Sequence, residues 1–218
     1  MLNETEIRVL ACLVEKELTT PDYYPLTLNS LMHACNQKSN RDPVVAYDEP
    51  AVEKALKNLR EKNLSTTVYL ETGTRVLKHG NNFAEQFKLS RREVAILCEL
   101  MLRGPQTPGE LHTRAERMYP FSSLGEVMEA LDLLKSRVPA LITVLPRQPG
   151  KKEIRYCHLF SGEPAAPTGG TTASGTTTGL SLQERIDHLE KECVELRGRI
   201  EALEKELGSF KDAASPPG

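Results

Sequence analysis

The chain repeats itself. Glu6-Ile7-Arg8-Val9-Leu10 aligns with Glu93-Val94-Ala95-Ile96-Leu97 at an offset of 87, which also carries Leu13 onto Leu100 and Thr20-Pro21 onto Thr107-Pro108. Further on, Val52-x-x-Ala55-Leu56-x-x-Leu59 matches Val127-x-x-Ala130-Leu131-x-x-Leu134 at an offset of 75. Agreement over three patches in the same order marks an internal duplication. The fall in offset places 12 additional residues in the first copy, between its second and third helices. The pattern predicts two related units, residues 1–86 and 87–160.

Each copy reads as three helices followed by a hairpin. In the first, Ile7, Leu10, Ala11, Val14 and Leu18 recur at helical spacing behind an Asn3/Glu6 capping box. A second helix follows Thr27, with Leu28, Leu31, Met32 and Cys35 on one side. The third begins at Pro50 with Asp48 as its cap and buries Val52, Ala55, Leu56 and Leu59. Residues 66–70 and 75–78 then form two strands around a turn at Glu71-Thr72-Gly73-Thr74. The second copy opens on a Ser90/Glu93 box and stops its first helix at Gly104-Pro105. It opens its second helix at Thr107 with Glu110 and its third at Ser123. Residues 141–145 and 154–159 are its strands. Three helices and a terminal hairpin are the winged-helix plan, a helix-turn-helix variant. The fold class is therefore mainly α with small β-hairpins (α+β), as two tandem winged-helix domains.

Residues 161–180 are Gly, Ser, Thr and Pro with almost nothing to bury, the composition of a flexible linker. Beyond it, over residues 181–208, Leu182, Ile186, Leu189, Cys193, Leu196, Ile200, Leu203 and Leu207 alternate in steps of 4 and 3. This is a coiled-coil heptad with Leu at every d position, which favours a parallel homodimer. Flanking charges suit either orientation, so Cys193, at an a position, is the discriminating residue. Residues 209–218 read as a disordered tail.

The function classes narrow by charge and by missing motifs. Residues 1–160 carry 22 Lys+Arg against 20 Asp+Glu, and the acidic excess lies in the remaining 58 residues. Such a body favours an anionic partner only weakly. Five widely spaced cysteines without a C-x-x-C suit a reducing compartment. Cys12 and Cys98, in equivalent helices, read as small buried hydrophobes. An acidic N-terminus and the lack of a long apolar run predict a cytoplasmic protein with no membrane partner. There is no phosphate loop, no G-x-S-x-G and no H-E-x-x-H, so the expectation is a protein that is not an enzyme and holds no cofactor. His33-Ala34-Cys35 and Cys157-His158 lack a second ligand pair at zinc spacing, so no metal is expected either.

Nucleic-acid binding is the sharper expectation, since such folds set a helix in the major groove. The charges qualify it. The third helix of the first copy presents Lys54, Lys57 and Asn58 among acids, behind the acidic start Asp48-Glu49. Its counterpart in the second copy carries Glu126, Glu129 and Asp132 against Lys135 and Arg137, which repels phosphate. Positive charge collects instead on the second hairpin, at Arg147, Lys151, Lys152 and Arg155, and on the helix after Thr107, at Arg114 and Arg117. The run Asn36–Pro43, with Lys38, Asn40 and Arg41, suits contacts to phosphates or base edges. It equally suits a loop whose Asn and Asp satisfy their own backbone.

Three stretches carry a resemblance: Leu18–Asn29, Ala34–Pro43 and Arg103–Leu111. Across residues 2–160 the chain resembles the YceH family, bacterial proteins of unknown function. The resemblance implies tandem winged helices, a bacterial source and a dimer, and brings no ligand or reaction. Two readings follow. One is a DNA-binding transcriptional or nucleoid-associated factor that meets double-stranded DNA as a homodimer. The other is a protein–protein adaptor, similar to chromosome-segregation partner proteins built from two such units.

Overall fold

Each copy packs around one helix that has almost no solvent face. The computed structural model describes residues 1–70, 76–146 and 153–163, all within one compact unit, Met1–Gly169. The heptads, most of the linker and the hairpin residues Arg147, Lys151 and Lys152 lie outside the described residues. α1 (Glu4–Thr19) buries every residue from Glu6 to Glu15, and α5 (Arg91–Arg103) every residue from Glu93 to Leu102. Both helices are enclosed on all sides, and the buried charges among their apolar residues need partners. α1 is covered by α2 (Leu28–Cys35), α3 (Glu49–Glu61), the second strand of its own hairpin, and α5 itself. α5 is covered by α6 (Pro108–Ala115), α7 (Leu124–Ser136) and the corresponding strand. The two copies thus share one aliphatic core.

Local sequence sets the ends of these helices. Asn3 with Glu6, Ser90 with Glu93 and Thr107 with Glu110 each form a reciprocal capping box. Asp48 and Ser123 cap α3 and α7 through their side chains. Each box satisfies backbone N–H groups that the first helical turn leaves without partners. Gly104, at φ +70, ends α5 in a conformation a side chain would strain.

Both hairpins are antiparallel. β1 (Ser65–Leu70) pairs with β2 (Val76–Asn81), Ser65 opposite Asn81. β3 (Ile142–Val144) pairs with β4 (Tyr156–His158), Val144 opposite Tyr156. Each hairpin gains one more backbone rung from the residue before the second helix. Leu26 exchanges hydrogen bonds with His79 (3.0 and 2.7 Å), and Gln106 with Tyr156 (3.0 and 2.8 Å). Gly80 in β2 is required by proximity, since a Cβ there would stand 2.8 Å from Thr66 Oγ1 and 3.2 Å from the Tyr24 hydroxyl.

These rungs correct the alignment of the copies. Thr27 and Thr107 are the equivalent caps, 80 positions apart, with Leu26 and Gln106 before them. Thr20 is not the counterpart of Thr107, because Pro21 starts a short 3-10 turn, Pro21–Tyr23. The extra length of the first copy is therefore split, seven residues before the second helix and five after it. Thr-Pro suits the start of either kind of turn, which is why the sequence match misleads.

A short helix that the sequence pattern does not predict, α4 (Phe83–Phe87), joins the copies. Phe83, Phe87 and Phe160 stack edge to face or tilted with centroids 5.3–5.5 Å apart. Leu2 N donates to Phe160 O at 2.8 Å, so the end of the second copy closes against the start of the first. Among the described residues no helix is long and apolar enough to cross a membrane.

Candidate functional site

α1 and α5 each bury two glutamates, one in the capping box (Glu6, Glu93) and one further along (Glu15, Glu99), and a buried carboxylate requires a partner. Glu15 and Glu99 both have fully buried side chains. Arg41, from the loop between α2 and α3, forks onto Glu15 with contacts of 3.0 and 2.5 Å. The same guanidinium donates to Ala34 O, to Asn40 O and to Gln37 Oε1. Arg117, just beyond α6, bridges the copies through Glu15 Oε1 at 2.5 Å and Glu99 Oε1 at 2.9 Å. Arg103 Nε stands 3.3 Å from Glu99 Oε2, and its Nη2 donates to Asn40 Oδ1.

The two carboxylates titrate in opposite senses. Burial raises the Glu15 carboxyl, but the hydrogen bonds and charges of Arg41 and Arg117 outweigh it and hold the group below the usual range. Burial also raises Glu99, and there Arg117 and Arg103 compensate only in part. Glu99 Oε2 accepts no hydrogen bond within the described structure.

Arg41 is thereby withdrawn from the surface. Its place in the polar run suggested a nucleic-acid contact, yet its side chain has no exposed area. Its loop is a clasp. Asn36 exchanges two 2.8 Å hydrogen bonds with the Tyr47 backbone, Arg8 donates to Cys35 O and Pro43 O, and Asp42 N donates to Leu102 O of the other copy. The reading of this run as a self-satisfied loop describes Asn36 and Arg41, while Lys38 is left exposed.

A second arginine group lies next to the first. Gln106 connects them, its Nε2 donating to Glu99 O and its Oε1 accepting from Arg114 Nη1 at 2.9 Å. Arg114 also faces Glu110 at 3.4 Å, and Arg155 reaches the same carboxylate at 3.1 Å while donating to Pro105 O. Burial raises Glu110, but the Thr107 backbone and both arginines more than offset it, and it stays ionised. Five arginines, 41, 103, 114, 117 and 155, are thus held by three carboxylates, 15, 99 and 110. The carboxylates at 15 and 99 are wholly covered, whereas the side chains of Arg103, Arg114, Arg117 and Arg155 keep between 21% and 35% exposure. The surplus positive charge therefore faces solvent.

Of the sequence-predicted residues, the structure brings Asn40, Arg41, Arg114, Arg117 and Arg155 into this one network, Arg41 at its buried end. Arg117 lies after α6 rather than on it. Lys54, Lys57 and Asn58 stand apart on α3, the lysines exposed and Asn58 bonded to Glu6 Oε1 at 2.8 Å. On α7, Glu129 and Asp132 are exposed, as are Leu124 (50%) and Leu133 (45%). Arg103, Gln106, Glu15 and Glu99 were not among the residues expected from the sequence. The available signal was Glu15 and Glu99 embedded in otherwise apolar helices. Among the described residues no three His, Cys, Asp or Glu side chains converge as a metal site needs.

Comparison with known proteins places this arrangement in a set without an assigned activity. A family model described as "Protein of unknown function, DUF480" matches residues 2–151. A UPF0502 protein of Geotalea uraniireducens is 50% identical over 213 residues, 96% of each chain. A second, from Koribacter versatilis, is 51% identical over 196 residues, 90% of each chain. A third, from Opitutus terrae, is 54% identical over 163 residues, 74% of this chain and 70% of the relative. These are uncharacterised bacterial proteins, as the resemblance of Leu18–Asn29, Ala34–Pro43 and Arg103–Leu111 implied.

Proposed function

The chain belongs to the DUF480 family, and from that premise we propose that it is a DNA-binding protein of two winged-helix units, acting as a homodimer and not as an enzyme. The observation that carries this reading is the convergence of Arg114 and Arg155 on the single carboxylate of Glu110, which leaves one positive charge uncompensated. Arg155 enters β4 and Arg114 lies on the second helix of the same unit, so hairpin and helix present cations together. Phosphate contacts of this kind position a protein on duplex DNA and make its affinity salt-dependent. Arg147, Lys151 and Lys152, outside the described residues, extend the same basic segment in sequence.

The two third helices have different work in this reading. Lys54 and Lys57 on α3 suit a groove, whereas the acids and exposed leucines of α7 do not. Fluorescence anisotropy of mixed-sequence duplex DNA at two salt concentrations tests the proposal. Binding that weakens with salt supports it, and no binding at low salt removes it. The adaptor reading has its own observation, the exposed Leu124 and Leu133 on α7, and a partner retained at high salt but lost on Leu133→Glu favours it.

A further inference from the structure

Between the clasp loop of the first copy and α6 of the second lies a cavity of about 430 Å³, lined by Asn40, Arg103, Thr113, Arg114, Glu116 and Arg117. We propose that it binds a small hydroxyl-bearing phosphate monoester, such as a sugar phosphate, with the phosphate on the arginines and a hydroxyl on Glu116. The inference goes beyond DNA binding and does not rest on it.

The depression is open to solvent, so the side chains at its wall carry the assignment. Three guanidinium groups reach the cavity from separate segments, the end of α5, α6 and the turn after it. Each has about five N–H donors in a fixed fork. Arg117 commits one donor from each terminal nitrogen to Glu15 and Glu99, and Arg114 commits its contacts to Gln106 and Glu110. The side chains of Arg103, Arg114 and Arg117 are partly exposed, whereas the carboxylates of Glu15 and Glu99 are wholly covered.

The uncompensated charge is then concentrated where an anion can reach it. Arg41, Arg103 and Arg117 share only Glu15 and Glu99, and Arg41 is sealed in the core. With Arg114 and Arg155 sharing Glu110, and Glu116 counted at the same wall, five arginines face four carboxylates and one positive charge is left over. Arg103 Nε is turned inward, 3.3 Å from Glu99 Oε2, and takes no part in the wall. Bidentate guanidinium–phosphate pairing is among the stronger charge-assisted contacts.

Glu116 defines the class further. It is the one acid in the lining, is exposed, and forms no ion pair among the described residues. It opposes a bare polyanion and accepts from a hydroxyl, which a sugar phosphate supplies. A DNA backbone phosphate is a diester flanked by deoxyribose and offers no such hydroxyl. The Thr113 hydroxyl at the same wall donates to Gly109 O at 3.3 Å and can accept from a ligand hydroxyl.

Isothermal titration calorimetry of the full chain with ribose 5-phosphate, inorganic phosphate and ribose tests the assignment. Ribose 5-phosphate should bind saturably at one site per chain, inorganic phosphate about tenfold more weakly, and ribose not at all. Glu116→Gln, an exposed change, should strengthen inorganic phosphate binding and remove the preference for ribose 5-phosphate over it. Arg103→Gln should weaken both phosphates by about tenfold, with thermal melting confirming that the chain is folded. No heat with any probe, or binding unaltered in both variants, overturns the proposal. Displacement of ribose 5-phosphate by a short duplex, with Glu116→Gln affecting neither, also overturns it by assigning the cavity to backbone phosphates. Lys54→Ala with Lys57→Ala keeps the two readings apart: exposed on α3 and outside the cavity lining, the pair should weaken duplex binding and leave ribose 5-phosphate binding unchanged.

Discussion

The thiol of Cys98 donates to the backbone carbonyl of Ala11 at 3.4 Å, and these two residues occupy the same position of the two copies, 87 residues apart. A position that touches its own counterpart lies where a two-fold relation between the copies would pass. Ala and Cys are both small there, which lets α1 and α5 approach closely, and neither has any exposed surface. The copies share a core at this seam instead of merely adjoining.

Enlarging the seam should therefore destabilise both copies together. Ala11→Leu is expected to cost about 1–3 kcal/mol by overpacking. In urea, far-ultraviolet circular dichroism and tyrosine fluorescence should report one coincident transition for the body. Separate transitions for the two copies would sink this account.

Arg41 should behave as a core residue. Arg41→Ala leaves Glu15 with Arg117 as its only close hydrogen-bonding partner, and the expected loss is about 3–5 kcal/mol. Arg41→Lys should recover little, because an ammonium cannot reproduce the fork onto Glu15 while also reaching Ala34 O. Lys38→Ala, three residues away and exposed, should stay within about 0.5 kcal/mol. Urea midpoints of the three variants decide the matter.

His158 gives the stability curve a signature in mild acid. Burial lowers its pKa to about 4, from an unfolded value of about 6.5. The unfolded chain therefore binds this proton first. The stability associated with neutral His158 is complete above pH 6.5 and is lost as the pH falls towards 4. His158→Phe, beside the ring of Phe160 at 5.9 Å, should make the decline across that window shallower. His79, lowered by burial and by Arg60, retains a residual slope of the same sign. Denaturation midpoints measured from pH 7 to 4 check the difference. An identical slope in both proteins refutes the assignment.

For DNA, Arg114→Ala with Arg155→Ala should reduce affinity uniformly across sequences. The slope of log affinity against log salt should become shallower by about two, one for each phosphate no longer neutralised. An unchanged slope would remove this pair from the interface.

The heptads lie outside the described residues, so their orientation is tested chemically. Mild oxidation should crosslink Cys193 to its copy if the helices run in parallel, giving a dimer on a non-reducing gel that Cys193→Ser abolishes. No crosslink, with a dimer still present in solution, would indicate antiparallel chains.

The parts of the fold legible in the sequence are those fixed over three or four residues. The Asn3/Glu6, Ser90/Glu93 and Thr107/Glu110 boxes could be read directly, because cap and partner share one helical turn. The hairpins could be read from their alternation, although β2 runs on to Asn81. The site is different in kind. Glu15 meets Arg41 across 26 residues and Arg117 across 102, and no local rule brings such distant charges together. What could be read was the requirement itself, an acid within a helix otherwise suited to complete burial. α4 escaped notice because five residues make too little periodic pattern to register.

The unequal lengths of the copies have a consequence for how the molecule meets anything larger than itself. The additional seven residues around Pro21–Tyr23 and the additional five in the clasp loop both belong to the first copy. A perfect duplication would look alike from either end and could be docked in two opposite senses. This one has a head and a tail, so any target long enough to contact both copies is engaged with a defined polarity.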